Sequence, residues 1–228
     1  MWKDDDGLFA LMRARLFPAV VGDILDTLGF MHQFLPPAIK PVERSLVVAG
    51  RAMPVLETHC FARSEPEGKS PLSRQAFGLL FEALDDLAPN EVYVATGSAP
   101  EFALWGGLMT TRALHLKAAG AVLDGYSRDT AEVLELGLPV FSLGGYAQDQ
   151  GPRGKVVDYR VPVEIRGIRV RPGDIVFGDQ DGVLIIPREA EKEAISLALE
   201  KADTESSVRK AIKNGMSTVE AFKTFGVM

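Results

Sequence analysis

An α/β fold with a mixed sheet and helices at both ends is expected from three features of the 228-residue sequence. Between Glu91 and Phe141, short apolar runs alternate with amphipathic ones, the pattern of βαβ units with parallel pairing. From Lys155 to Pro187, short β-branched runs are joined by Arg166–Gly167, Pro172–Gly173 and Asp181–Gly182, the turn chemistry of antiparallel hairpins. Outside these regions, apolar residues recur at helical spacing.

The elements follow in order. "LFALMRARLF" and "PAVVGDILDTLGF" read as two short helices, the second ended by Gly29. Asp4–Asp5–Asp6 before them reads as a solvated helix start rather than a metal site. "SLVVAGRAMPVLE" has the β-branched content of a strand, with a bulge expected at Gly50. "PLSRQAFGLLFEALDDLAP" is expected to form one amphipathic helix, with Phe77, Leu80, Phe81 and Leu84 on one face. Then come a buried strand "EVYVATG", a helix "GGLMTTRALHLKAAG", a strand "AVLDG", a two-turn helix "TAEVLELG" and a strand "LPVFSLGG". The chain closes with a long charged helix from Arg188 and a short one, "STVEAFKTF". No linker composition interrupts it. Residues 1–228 read as one domain, with 189–228 a helical C-terminal extension whose scarce apolar surface suits a subunit interface.

Composition narrows the function. The net charge of −6 argues against nucleic acid as the main partner, though not against a local basic pocket for a small anion. Cys60 is the one cysteine, so neither a disulfide nor a thiolate zinc cluster can form within the chain. No apolar run approaches the roughly 18 residues that span a bilayer, so a soluble cytoplasmic protein without a membrane partner is expected. The sequence has no GxSxG, HExxH, P-loop or GxGxxG. His32, His59 and His115 are isolated from one another and read as structural or surface residues. Lys117 and Lys155 sit among polar or small neighbours, so neither stands out as a Schiff-base lysine. Asp174, Asp179 and Asp181 read as turn residues of hairpins.

One juxtaposition remains. In a right-handed βαβ unit, the start of the crossover helix and the end of the following strand share one edge of the sheet. Here the helix opens at Gly106–Gly107–Leu108–Met109, and the next strand delivers Gly125 to Asp129 to the same edge. Free N–H groups at a helix start bind carboxylate or phosphate, and Arg128 can add a bidentate grip on a 2-oxo acid. Asp129 offers a hard oxygen for Mg²⁺. The alternative is structural: Asp129 as the N-cap of the next helix, with Arg128 paired to Asp124 or Glu132.

"WGGLMTTRALHLKAAGAVLDGYSRD", "ELGLPVF" and "VRPGDIVFGDQDGVLIIP" resemble the RraA-like family, with weaker similarity at "VVGDILDTLG" and "VAGRAMPV". That family includes the 4-hydroxy-4-methyl-2-oxoglutarate / 4-carboxy-4-hydroxy-2-oxoadipate aldolases and RNase E activity regulators. The resemblance implies an α/β/β/α sandwich and homotrimers or hexamers with sites between subunits. It implies that Gly106, Gly107, Leu108 and Met109 hold a pyruvate carboxylate, that Arg128 contacts substrate and stabilises the enolate, and that Asp129 ligates Mg²⁺ or Mn²⁺. Its expected activity is a class II pyruvate aldolase on a small 2-oxo acid, with oxaloacetate decarboxylation through the same enolate. A tail glutamate from a neighbouring subunit maps onto Glu205. The sequence departs at Gly107, where many members carry an acid that orients water on the metal. The alternative function is a non-catalytic, protein-binding module like the RNase E regulators. "GGYAQDQGPRG", with Tyr146, Gln148, Asp149 and Arg153, is a candidate loop for substrate selection.

Overall fold

A computed structural model describes residues 2–62 and 68–227. The chain opens with α1 (Asp5–Arg15) and α2 (Pro18–Thr27). Asp4 caps α1 by accepting from the Gly7 N–H at 2.8 Å, and Asp5 pairs with Arg51 at 2.6 Å, so this acidic run is a helix start as expected. Next come β1 (Lys40–Pro41), β2 (Val48–His59), α3 (Pro71–Arg74), α4 (Leu80–Asp85), β3 (Glu91–Thr96) and β4 (Ala103–Trp105). They are followed by α5 (Gly107–His115), β5 (Gly120–Leu123), β6 (Tyr126–Ser127), α6 (Thr130–Leu136) and β7 (Val140–Ser142). The antiparallel part comprises β8 (Gly154–Tyr159), β9 (Val163–Ile165), β10 (Ile168–Val170), β11 (Ile175–Asp179) and β12 (Gly182–Ile186). Helices α7 (Glu191–Lys213) and α8 (Thr218–Phe225) close the chain.

The fold is α/β with one large mixed sheet, ordered β1-β7-β5-β3-β2-β11-β12, with β8 also pairing to β2. Strands β2, β3, β5 and β7 run parallel, and β1, β8, β11 and β12 join antiparallel. Side chains alternate across β2 as the two-residue period requires. Ala49, Met53 and Val55 face the helices, in clusters with α1, α2 and α7 at one end and α4, α5 and α6 at the other. Val48 and Ala52 face the opposite side, where Val163, Ile165, Ile168 and Val170 of the β9–β10 hairpin lie as a second, smaller sheet. Arg51 joins β2 to both chain ends through Asp5 and Glu191, the latter at 2.5 Å.

Several expectations are corrected. The single helix expected over 71–89 is two short helices. Gly78 sits at φ +64°, outside helical space, and Val156 of β8 exchanges backbone hydrogen bonds with Phe77 and Leu79 on either side of it. Gly50 marks no bulge; the irregularity falls between Leu56 and Glu57, and Gly50 instead lets β2 approach the Asn90 carbonyl. Pro172–Gly173 joins β10 to β11 in different sheets rather than forming a hairpin, whereas Arg166–Gly167 and Asp181–Gly182 do form hairpins. Asp174 and Asp179 accept local backbone N–H groups, consistent with turn roles. Lys155 is buried, and its amine donates to the Gln75 carbonyl, so one lysine does lie in the interior. The first half of α7 buries Ala194, Ile195 and Ala198, while Val219 and Phe222 of α8 are exposed. Among the described residues, no helix is long and apolar enough to cross a membrane.

Candidate active site

The short parallel pair β4–β6 sets Ala103 opposite Tyr126 and Trp105 opposite Ser127. Its register brings the start of α5 beside Arg128 and Asp129, and the Arg128 N–H donates to the Trp105 carbonyl at 2.9 Å. The edge inferred from βαβ geometry therefore exists, and both halves of it meet.

Asp129 precedes α6 but does not cap it with its side chain. It sits in the left-handed region at φ 57°, ψ 37°, which Asp tolerates better than most residues. That backbone turns its carboxylate across to α5, where Oδ2 accepts the Gly107 N–H at 3.1 Å. The structural alternative is thus corrected: Asp129 serves the start of a different helix, where negative charge is favoured. Gly106 makes room for it, because a Cβ there would stand 2.6 Å from Asp129 Oδ2. Among the described residues, Asp129 Oδ1 makes no hydrogen bond, and the N–H groups of Leu108 and Met109 have no partner.

Arg128 pairs with neither Asp124 nor Glu132. Its Nη1 donates to Asp149 at 2.9 Å, and its Nε lies 3.7 Å from Asp129. Asp124 accepts instead from Thr96 Oγ1 at 3.0 Å. The carboxylate of Glu132 lies over Gly107, where a Cβ would collide with it. A carboxylate from α6 thus occupies the space above the position that lacks an acid of its own. Asp149 is the member of the "GGYAQDQGPRG" loop brought into the site; Tyr146 instead packs on Tyr126 and donates to Gln148, and Arg153 bonds the Asp149 carbonyl. Glu205 lies on α7 beside Val208 and Ile212 and does not line this site within one protomer.

These residues open onto a cavity of about 310 Å³. Arg128, Asp129 and Asp149 line it together with the apolar Phe77, Leu80, Phe81, Leu104, Trp105 and Met109. Leu108 projects at its mouth, 85% exposed. The donor set suits a hard divalent cation that keeps most of its water, with one free carboxylate oxygen on Asp129 as direct ligand. Among the described residues, no group of three or more His, Cys, Asp or Glu side chains is placed to enclose an ion.

Behind the wall lies a group that sequence reading missed. Glu57 is buried at 1% exposure; its Oε2 accepts from Gln150 Nε2 at 2.9 Å, and its Oε1 has no partner. Gln150 lines the cavity. Burial raises the Glu57 carboxyl from its ordinary 4.5 to about 8. The folded state therefore holds this proton while the unfolded chain has lost it, so stability falls as pH rises from 4.5 through 8 and then levels. Glu57→Gln is expected to remove most of that slope, which urea midpoints at pH 5.5 and 8.5 would show; a native protein with equal midpoints at both would refute it. The one signal available in sequence was an acid ending the apolar run "AMPVLE".

Fold and site together define an α/β protein in which a helix start, an arginine and a carboxylate open onto one cavity at the carboxyl edge of parallel strands. The chain belongs to the RraA-like family (Aldolase/RraA), which matches residues 19–185. It is 29% identical over 203 residues to protein DlpA of Legionella pneumophila, covering 89% of this chain but only 31% of DlpA. It is 28% identical to a 4-hydroxy-4-methyl-2-oxoglutarate aldolase of Thermus thermophilus, over 60% of this chain and 85% of that protein. The fold matches the crystal structure of an uncharacterized protein from Pseudomonas syringae with a TM-score of 0.83 at 25% identity, covering 98% and 96% of the two chains.

Proposed function

We propose that this chain is a divalent-cation-dependent aldolase that releases pyruvate from a 4-hydroxy-2-oxo acid. The observation that carries the reading is the placement of Asp129 and Arg128 together against the glycine-opened start of α5. The free N–H groups of Leu108 and Met109 suit the substrate carboxylate. Arg128 binds the 2-oxo group and stabilises the negative charge that develops on its oxygen. Asp129 would hold Mg²⁺ or Mn²⁺, which supplies Lewis-acid stabilisation at the same end of the substrate. Loss of the C4 hydroxyl proton to a water acting as base breaks the C3–C4 bond, leaving pyruvate enolate to be protonated at C3. Oxaloacetate decarboxylation proceeds through the same enolate and belongs to the proposed activity. The assembly is a homotrimer or hexamer, and the exposed Val219 and Phe222 of α8 suit its interface.

The named relative of T. thermophilus supports an aldolase over a purely protein-binding module, as does a carboxylate held with one oxygen free. Pyruvate release from oxaloacetate and from 4-hydroxy-4-methyl-2-oxoglutarate is expected with Mg²⁺ or Mn²⁺, and should be abolished by EDTA and restored by excess metal. Release that matches the protein-free control on both substrates would favour the protein-binding role.

A further inference from the structure

Gln150 is fixed at both its backbone and its side chain. Its carbonyl accepts from the Arg153 and Gly154 N–H groups at 2.7 and 2.9 Å, and its Nε2 donates to Glu57 Oε2 at 2.9 Å. The preceding residue, Asp149, accepts from Arg128 through Oδ1 and from the Gly151 N–H through Oδ2. The amide oxygen of Gln150 makes no hydrogen bond among the described residues, yet it is not sealed in the interior. Gln150 lines the same cavity as Arg128 and Asp129. The bond to Glu57 therefore leaves the acceptor end of the amide for the cavity.

A carboxyl in this place is costly. Glu57 is buried, its one hydrogen bond among the described residues goes to Gln150, and its Oε1 has no partner. An unsatisfied buried acceptor costs more than a single neutral hydrogen bond contributes. A proton on this carboxyl sits on Oε1, since Oε2 is the acceptor, so the amide keeps its orientation whether Glu57 is neutral or charged. What the burial achieves is a fixed acceptor at the cavity.

From this arrangement we propose that Gln150 is a specificity-determining residue whose amide oxygen accepts a hydrogen bond from a ligand hydroxyl, and that Glu57 is the positioning residue that keeps this oxygen turned to the cavity. The identity of the hydroxyl rests on the aldolase reading, in which it is the one on C4. That hydroxyl must turn from the amide to give its proton to water, so the bond belongs to the ground state. Its loss in Gln150→Met is expected to raise KM and leave kcat little changed.

The test uses two acids that differ by one hydroxyl and, lacking a 2-oxo group, cannot be cleaved: 2,4-dihydroxybutanoate and 2-hydroxybutanoate. Both are titrated into the native protein by calorimetry with Mg²⁺ present. The dihydroxy acid is expected to bind about fivefold more tightly, the effect of one neutral hydrogen bond. Gln150→Met, close in size, should bring the two affinities together. Glu57→Met should do the same although Gln150 is still in place. Glu57→Gln should keep the preference, because its carbonyl oxygen can still accept from Nε2; a role in folding alone would not separate these two variants by ligand. Equal affinities in the native protein, tighter binding of 2-hydroxybutanoate, binding of neither acid, or a preference that survives Gln150→Met or Glu57→Met would overturn the inference. Should Gln150→Met fail to fold, the two Glu57 variants carry the same comparison. Pyruvate release from 4-hydroxy-4-methyl-2-oxoglutarate is read separately. No release, with the hydroxyl preference and its loss in the variants observed, sinks the aldolase reading and leaves the inference standing. Release without any preference between the two acids does the reverse.

Discussion

Asp129→Asn is expected to lower kcat/KM for pyruvate release at least ~100-fold and to weaken Mn²⁺ binding in parallel, with little change in urea stability. Asparagine tolerates the left-handed backbone at φ 57° and can still offer its amide oxygen to the Gly107 N–H. What it removes is the negative charge beside Arg128 and the free carboxylate oxygen. Asp129→Ala should be as inactive and, in addition, about 1 kcal/mol less stable, because it loses the bond to α5 while keeping an unfavourable φ. The pair of variants separates charge from structure. Full activity in Asp129→Asn would show that the carboxylate acts only as a cap for α5, and the aldolase reading would lose its central residue.

Arg128→Lys should cost a similar ~100-fold in kcat/KM, mostly in kcat, although the positive charge is kept. The guanidinium bonds Asp149 through Nη1 and turns Nε toward Asp129 at 3.7 Å, a spread that a single ammonium cannot reproduce while also meeting a 2-oxo group. Since both partners are partly exposed, at 38% and 43%, the ion pair itself contributes little to stability, and the melting temperature should move by only a few degrees. A variant that retains kcat and loses only KM would place Arg128 in ground-state binding, away from the developing charge.

The residues legible in the sequence are those whose neighbourhood is local. Gly106 to Met109 open a helix, Arg128–Asp129 follow the next strand, and one rule of βαβ handedness places both on the same edge. Direction was beyond that rule. Whether Asp129 faced its own helix or its neighbour's depended on a left-handed backbone that an Asp between Arg and Thr does not announce. The apolar lining was less legible still. Phe77 and Phe81 have helical spacing, but hydrogen bonds from Val156, some eighty residues along the chain, break that helix at Gly78 and turn both rings to the cavity. Glu57 and Gln150 meet only because β2 and the loop before β8 are folded together. Long-range pairing of this kind leaves no periodic trace. The antiparallel half was easier, since Arg166–Gly167 and Asp181–Gly182 carry their turn chemistry with them.

The break at Gly78 has a bearing on how new specificities arise on this scaffold. The reacting end of the site belongs to β4, β6 and α5, threaded through the body of the molecule. Part of the apolar lining, Phe77, Leu80 and Phe81, comes from the segment around that glycine, which Val156 and Lys155 of β8 hold and whose Leu80, Ala83 and Leu84 pack into the core. Exchanges at Phe77 and the exposed Phe81 that keep Gly78 and the buried Leu80, Ala83 and Leu84 in place can therefore resize or recharge the cavity lining without moving Arg128 or Asp129. Selection for a different ligand would act on those two rings, and the edge that holds Arg128 and Asp129 would be inherited intact.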